Sequence, residues 1–186
     1  MHDRLDTRHD NLDSKLRAHL LEHMSSVNTD PWSDHDVFFI SDSSHGGVRP
    51  MYCVLGFVGG SPYTWKVGRH GWTTCSATES EWFAQSEAAK LVQAHQNMYT
   101  FMRFDVTFPL LQLCDNHAAV RLSEQDATTK RLKHVLTRMG FLCEHIAAKL
   151  IILVHIGNKA MIADIGTKVL AATDYHEHRR WLVYRE

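Results

Sequence analysis

The fold is decided first by the run Val37-Phe38-Phe39-Ile40-Ser41-Asp42, in which four large apolar residues precede a serine and an acid. A continuous apolar run without polar alternation is typical of a strand that is buried on both faces of a sheet. A second run of this kind, Leu110–Cys114, is followed by Asp115. The sequence therefore predicts two central strands, each of which leads to an acid.

Further strands and two long helices are predicted around these runs. Met51–Val58 and Tyr63–Val67 predict two strands joined by the turn Gly59-Gly60-Ser61-Pro62, which completes an antiparallel meander. Apolar residues then recur at three- and four-residue steps in two later segments. This spacing predicts long helices over Thr78–Phe104 and Thr128–Ala148.

The remaining predicted elements are shorter. A short helix is expected at Asn116–Leu122, a fifth strand at Leu150–His155 and a last helix at Tyr175–Val183. Asn158 is expected to cap a helix that begins near Lys159. The order β-β-β-α-β-α-α-β-α predicts an α/β fold with a mixed five-stranded sheet and helices on both faces.

Composition and charge limit the domain organisation. The 186 residues are 44% hydrophobic and 22% charged, which is enough for one domain with a real core. Residues 1–36 predict a short amphipathic helix and a linker, which would dock on a partner or on the domain formed by residues 37–186. The net charge of −1 excludes a global basic field, so nucleic-acid binding would need a local basic patch.

The compartment is limited by three further features of the sequence. No apolar run is long enough to span a membrane, and the acidic first 25 residues argue against a secretory signal or transit peptide. The four cysteines, which form no C-x-x-C pair, are Cys53, Cys75, Cys114 and Cys143. We expect thiols in a reducing intracellular compartment, with cytoplasm, nucleus and organelle left open.

Two more acids, Glu81 and Asp164, lie in predicted helices and join Asp42 and Asp115 as candidate site residues. If the fold brings these four carboxylates together, only divalent cations would make their mutual repulsion tolerable. Two Mg²⁺ or Mn²⁺ ions about 3.5–4 Å apart are the usual device for in-line phosphodiester hydrolysis. The acids therefore predict a metal-dependent nuclease.

Each acid also has a purely structural explanation. Asp115 could cap a helix after its strand, and Asp42 could be a turn acid. Thr78 and Glu81 have the spacing of a capping box, and Asp164 could be favoured by a helix dipole. Capping and metal binding are compatible, so these alternatives stay open at this stage.

Five motifs, in the same order, resemble the ribonuclease H domain of copia-type (Pseudoviridae) retrotransposon polyproteins. The resemblance covers roughly residues 37–186 and is specific because the order is kept. The stretches, each followed by the family pattern to which it is similar, are Gly59–Lys66 (G-G-[SN]-P-I-S-W-K), Ser76–Ala84 (S-S-T-E-A-E-Y-x-A), Leu113–Ala119 (Y-C-D-N-Q-S-A), Lys133–Phe141 (T-K-H-I-D-x-R-Y-H-F) and Ala163–Lys168 (A-D-I-L-T-K).

The resemblance implies a ribonuclease H-like fold in which the first and fourth strands are neighbours. It implies that Asp42 bridges two Mg²⁺ ions, that Glu81 and Asp115 complete the site of one ion, and that Asp164 holds the other. His155 would occupy the position of a proton-shuttling histidine, with a core or rim histidine as the alternative. The RNA strand would be selected through its 2′-hydroxyl groups.

The densest basic cluster comprises Lys130, Arg131, Lys133, His134 and Arg138. It lies on the polar side of a predicted helix, so we expect it to contact a phosphate backbone and to bind less well in salt. The alternative is an ordinary solvated helix face.

The sequence departs from the family in its opening motif and its context. The family start S-D-A-D-W reads Ser41–His45 here and lacks the second acid, and the following stretch is shorter. The chain begins with Met, and we find no reverse transcriptase, integrase or protease sequence in it. This indicates a freestanding copy and leaves open whether it has been domesticated.

Two functions of different classes follow. The first is an endonuclease that hydrolyses RNA in RNA–DNA hybrids by two-metal catalysis. The alternative is a domesticated, non-catalytic structural subunit or adaptor of a larger protein or ribonucleoprotein assembly, contacting protein partners through residues 1–36. A 3′–5′ exonuclease of the same broad fold is a third interpretation, against which the ordered motifs argue.

Overall fold

The computed structural model describes residues 37–46, 49–58, 61–71, 73–103, 109–118, 120 and 136–183, apart from the side chains of 136–138. Several sequence predictions lie outside these residues. They are the N-terminal segment 1–36, the turn at 59–60, the start of the second long helix at 128–135 and the side chains of the basic cluster (Lys130, Arg131, Lys133, His134 and Arg138).

A mixed five-stranded sheet forms the centre of the structure, as predicted. Its strands are β1 (Val37–Ser43), β2 (Met51–Val58), β3 (Ser61–Arg69), β4 (Leu110–Cys114) and β5 (Ile151–His155). The spatial order is β3-β2-β1-β4-β5. The first three strands form the antiparallel meander, whereas β4 pairs in parallel with both β1 and β5.

Three described helices and two 3₁₀ turns complete the fold. The helices are α1 (Ala77–Met102), α2 (Leu136–Ala147) and α3 (Ala172–Leu182), and the 3₁₀ turns are Asn158–Ala160 and Ile162–Gly166. In the expected helix Asn116–Leu122, residues 117, 118 and 120 are helical. None of the described helices has the length and apolar character that a membrane crossing requires.

Both faces of the sheet are covered, which explains the unbroken apolar run in β1. Phe39 is fully buried on the face that packs against α1 and α2. Ile40 is buried on the opposite face, where Ile162 of the second 3₁₀ turn covers the sheet and Trp181 of α3 packs against the same core. Successive residues of a strand point to opposite faces, so a strand covered on both sides is apolar at every position.

The start of α1 differs from the expected capping box of Thr78 and Glu81, and that prediction was wrong. The N-cap is Ser76, whose hydroxyl accepts a hydrogen bond from the Glu79 backbone N–H at 3.1 Å. The Glu79 carboxylate in turn accepts from the backbone N–H of Cys75 at 2.7 Å. The sequence offers two overlapping patterns of this spacing, and the earlier one is used because the helix begins at Ala77.

The segment around Asp164 also differs from the expected helix. Asn158 makes no side-chain cap, and the chain instead forms two 3₁₀ turns separated by Met161. Four consecutive residues, Met161–Asp164, are buried. A helix that lies on a sheet buries only one stripe of its surface, so four buried neighbours favour a tighter, irregular path.

Candidate metal centre

The parallel pairing of β1 and β4 brings two acids to the same edge of the sheet. Ile40 lies opposite Leu113, so the register places Asp42 level with Asp115 two residues further on. Asp42 is fully buried within β1, and Asp115 is half-buried immediately after β4. Because both strands run in the same direction, their carboxyl ends form one crevice.

Glu81 reaches this crevice from the first turns of α1. Its carboxylate Oε1 accepts a hydrogen bond of 3.3 Å from the Ser43 backbone N–H at the end of β1. One ligand oxygen from each of Asp42, Glu81 and Asp115 lies within 4.8 Å of the others. The structure therefore brings three of the four predicted acids together, and it is Glu81, not the capping Glu79, that faces them.

The proximity of these acids in a buried place perturbs their ionisation. Burial, together with the charges of Asp42 and Asp115, raises the pKa of Glu81 to about 9. Burial and the charge of Asp42 also raise the pKa of Asp115. Like charges in a poorly solvated site favour protonation unless a cation is bound, so the cluster has the electrostatics of a metal site.

The donor atoms fit a hard divalent cation. All three groups offer carboxylate oxygens, which Mg²⁺ and Mn²⁺ prefer. In addition, Oε2 of Glu81 is buried and has no hydrogen-bond partner among the described residues. A buried carboxylate oxygen without a partner is costly, and coordination of a cation would satisfy it.

Asp164 lies beside Asp42, and Lys168 contacts both acids. The ammonium of Lys168 lies 2.6 Å from Asp164 Oδ1 and 3.4 Å from Asp42 Oδ1. The hydroxyl of Thr167 donates to the other oxygen of Asp42. Burial raises the pKa of Asp164 to about 6 even though the hydrogen bond from Lys168 opposes this. The fourth acid is thus present next to Asp42, and a lysine of the chain contacts both of them.

Comparison with known proteins agrees with this architecture. LC11-RNase H1 in complex with an RNA/DNA hybrid superimposes with a TM-score of 0.53 at 15% identity, over 71% of this chain and 94% of that one. The N-terminal RNase H domain of rv2228c from Mycobacterium tuberculosis gives 0.54 at 10% identity, over 78% and 97%. The chain has a ribonuclease H fold.

Sequence comparison points to retrotransposons. The retrovirus-related Pol polyprotein from transposon RE1 of Arabidopsis thaliana is 24% identical over 139 residues, or 73% of this chain. The corresponding polyprotein from transposon RE2 of that plant is 22% identical over 124 residues, or 67% of this chain. No protein-family model matches. The resemblance to a retrotransposon ribonuclease H domain is confirmed, although this chain spans only 10% and 8% of these polyproteins.

His155 lies next to Asp115, whose backbone it contacts. It ends β5, and its Nε2 donates to the backbone carbonyl of Asp115 at 3.0 Å. A carbonyl oxygen only accepts, so Nε2 carries the proton in this contact. The ring stacks on His117. The predicted proton-shuttling role is not tested by this geometry and stays a prediction.

Sequence reasoning missed three residues that contact the acids, namely Ser43, Thr167 and Lys168. Thr167 and Lys168 belong to the quoted motif Ala163–Lys168, and the four-residue spacing from Asp164 was an available signal. Ser43 carried no comparable signal. Its role depends on the tertiary approach of α1 to β1. There its hydroxyl also contacts the hydroxyl of Ser80 and the Nε2 atom of His70.

Proposed function

We propose that the chain is a ribonuclease H-type endonuclease that hydrolyses the RNA strand of RNA–DNA hybrids with divalent cations. The observation that carries this proposal is the convergence of Asp42, Glu81 and Asp115 within 4.8 Å at the carboxyl ends of two parallel strands. Bringing three buried or half-buried acids together costs folding free energy and does not stabilise the fold. Their meeting supports a site built for cations and a phosphodiester.

In this proposal Asp42, Glu81 and Asp115 hold one Mg²⁺ or Mn²⁺ ion, and Asp42 with Asp164 holds a second. Bound cations lower the pKa of water and stabilise the oxygen that leaves the phosphorus atom. The protein contributes fixed positions for these ligands. Ser43 N–H orients Glu81, and the Thr167 hydroxyl orients Asp42.

The remaining catalytic and recognition roles rest on the family resemblance, and the phosphate contacts rest on the basic cluster in the sequence. His155 would exchange protons near the reaction, as the resemblance implies, and its Nε2 contacts the Asp115 carbonyl in this structure. Lys130, Arg131, Lys133 and Arg138 would bind the phosphate backbone, and recognition of RNA would use its 2′-hydroxyl groups. The buried thiols of Cys53 and Cys114 support a reducing compartment as the place of action.

A second candidate function is that of a domesticated, non-catalytic subunit or adaptor. The observation that favours it is the outer edge of the meander. Trp65 and Val67 of the edge strand β3 are 72% and 48% exposed, respectively. An exposed apolar edge strand is a typical contact surface for another protein, and the net charge of −1 does not attract nucleic acid.

Cleavage of a labelled RNA–DNA hybrid separates the two functions. We expect the wild-type chain to cut the RNA strand in Mg²⁺ or Mn²⁺ and to leave the DNA strand intact. Asp115→Asn should abolish cutting, whereas the matched change Asp174→Asn, at an exposed acid of α3, should not. If folded wild-type protein cleaves the hybrid neither in Mg²⁺ nor in Mn²⁺, the proposed nuclease function is rejected and the non-catalytic subunit is favoured.

A further inference from the structure

Lys168 places a positive charge in contact with both of the acids that a second cation would need. Its ammonium is 2.6 Å from Asp164 Oδ1 and 3.4 Å from Asp42 Oδ1. Its backbone N–H also donates to the Asp164 carbonyl at 2.9 Å, which fixes the base of the side chain. The side chain is nevertheless 39% exposed, so its end can move into solvent.

The two halves of the acid cluster differ in how their oxygens are used. On one side, Glu81 Oε2 is buried without a hydrogen-bond partner among the described residues. On the other side, Asp164 Oδ1 and Asp42 Oδ1 both contact the ammonium of Lys168. A first cation would therefore find an available ligand at Glu81, whereas a second would have to replace a contact that already exists.

We propose that Lys168 competes with the second cation, so that the site loads its ions in order. The first ion binds at Asp42, Glu81 and Asp115 with Lys168 in place. The second binds at Asp42 and Asp164 only when the Lys168 ammonium leaves them. This inference rests on the proposed metal-dependent function and adds a residue that controls the occupancy of its site.

The physical basis is the shape and charge of the lysine side chain. An ammonium on a flexible stem can neutralise two carboxylates and can be displaced without moving the backbone. Once displaced, it remains beside the crevice, where a phosphate of a bound nucleic acid would be its natural partner. Occupancy of the second site is then coupled to substrate binding, because the same lysine responds to both.

Calorimetric titration with Mn²⁺ alone tests the proposal on the full chain. We expect wild-type protein to bind one ion per chain within the accessible concentration range. Lys168→Met should bind two, with the second at least roughly tenfold tighter than in wild type. Lys159→Met is the matched control, since Lys159 is an exposed lysine on the preceding 3₁₀ turn, and should bind as wild type does.

Three results would overturn the proposed competition between Lys168 and the second ion. Two ions of equal affinity in wild type and Lys168→Met would mean that the lysine does not oppose the second ion. Weaker binding of the first ion in Lys168→Met would mean that the lysine holds Asp42 in place instead. Binding of no ion by either protein would reject both this inference and the proposed function.

The inference and the proposed function can fail separately. If the variant gains a second ion but wild-type protein cuts no hybrid, the competition stands and the enzyme does not. Should Lys168→Met fold poorly without metal, thermal melts decide the matter. Added Ca²⁺ should then raise the melting temperature of Lys168→Met more than that of wild type, and an equal or smaller rise would contradict the proposal.

Discussion

Glu81 and Glu87 are two buried glutamates on the same helix, and their surroundings differ completely. Glu81 is 5% exposed, and burial and the acids Asp42 and Asp115 raise its pKa to about 9. Glu87 is 6% exposed, but its carboxylate contacts Lys66 and Lys90, each at 2.6 Å. Burial alone would raise the pKa of Glu87 too, yet the two lysines outweigh it and lower that pKa.

The comparison shows that burial does not distinguish a site acid from a structural one. What differs is whether the protein supplies the opposite charge. The lysines of Glu87 belong to the folded domain, so that acid is satisfied by the chain itself. Glu81 faces other acids and keeps one oxygen without a hydrogen-bond partner among the described residues, so its counter-charge must come from outside or from a proton.

The strongest test of this contrast is the pair Glu81→Gln and Glu87→Gln. We expect Glu81→Gln to reduce hybrid cleavage by roughly a thousandfold, equivalent to about 4 kcal/mol, because it removes a charged metal ligand. The same change should stabilise the metal-free protein at neutral pH, since folding would no longer require Glu81 to take up a proton that the unfolded chain has lost. Cleavage rates in Mg²⁺ and denaturant melts in chelator measure both effects.

Glu87→Gln should do the opposite. Cleavage should change little, whereas the free energy of unfolding should fall by about 1 kcal/mol, since both lysines are partly exposed and solvent weakens their ion pairs. Equal loss of cleavage in the two variants would show that the distinction between the two glutamates does not hold.

The pH dependence of stability should also run in opposite directions for the two acids. In chelator, the raised pKa of Glu81 means that the folded state keeps a proton that the unfolded chain loses above its ordinary value of 4.5. The contribution of protonated Glu81 to the stability of the folded state is complete below pH 4.5 and is lost as the pH rises through about 9. Thermal melts across this range should therefore show falling stability as the pH rises.

The variants Glu81→Gln and Glu87→Gln show which acid causes this fall of stability with rising pH. Glu81→Gln should remove most of it and leave a smaller part from Asp115, whose pKa is also raised, and from Asp164, whose pKa is raised to about 6. Glu87→Gln should leave this slope and instead weaken stability above its ordinary pKa of 4.5, because the lowered pKa of Glu87 contributes only where it is ionised. A flat profile in chelated wild-type protein would contradict the perturbed ionisation of Glu81.

Removing the lysines should make Glu87 resemble Glu81. We expect Lys66→Met with Lys90→Met to lower the free energy of unfolding at neutral pH by about 2 kcal/mol, because a buried carboxylate loses two opposite charges. Its pKa should rise, which NMR titration of the Glu87 side chain can follow. Lys159→Met is again a suitable control, since that lysine is exposed.

The sequence was sufficient to predict the sheet and the meeting of two acids. Met51–Val58 and Leu110–Cys114 were predicted with the bounds that the structure has. Unbroken apolar runs specify central strands, whereas the pairing of the first and fourth strands, and with it the meeting of Asp42 and Asp115, was implied by the family resemblance. The strands were predictable because burial on both faces leaves an unbroken apolar run, and their pairing was predictable because the five motifs keep the order of a known family.

The failures concern choices that tertiary contacts decide. The sequence Ser76-Ala77-Thr78-Glu79-Ser80-Glu81 contains two overlapping capping patterns, and local chemistry does not rank them. The contact of Lys168 with Asp42 joins residues 126 positions apart, which no local pattern reveals. Burial of four successive residues at Met161–Asp164 likewise follows from packing against the sheet and not from helix propensity.

The capping choice supplies the smallest prediction and bears directly on Glu81. Ser76→Ala should destabilise the domain by about 1 kcal/mol, because it removes the acceptor for the Glu79 N–H. Thr78→Ala removes the hydroxyl of the other pattern and should have little effect on the free energy of unfolding. Denaturant melts of both variants provide the measurement. A larger loss of stability in Thr78→Ala would place the helix start two residues later and give Glu81 a capping role. Glu81 would then be a structural acid like Glu87, and its assignment to the metal centre would fail.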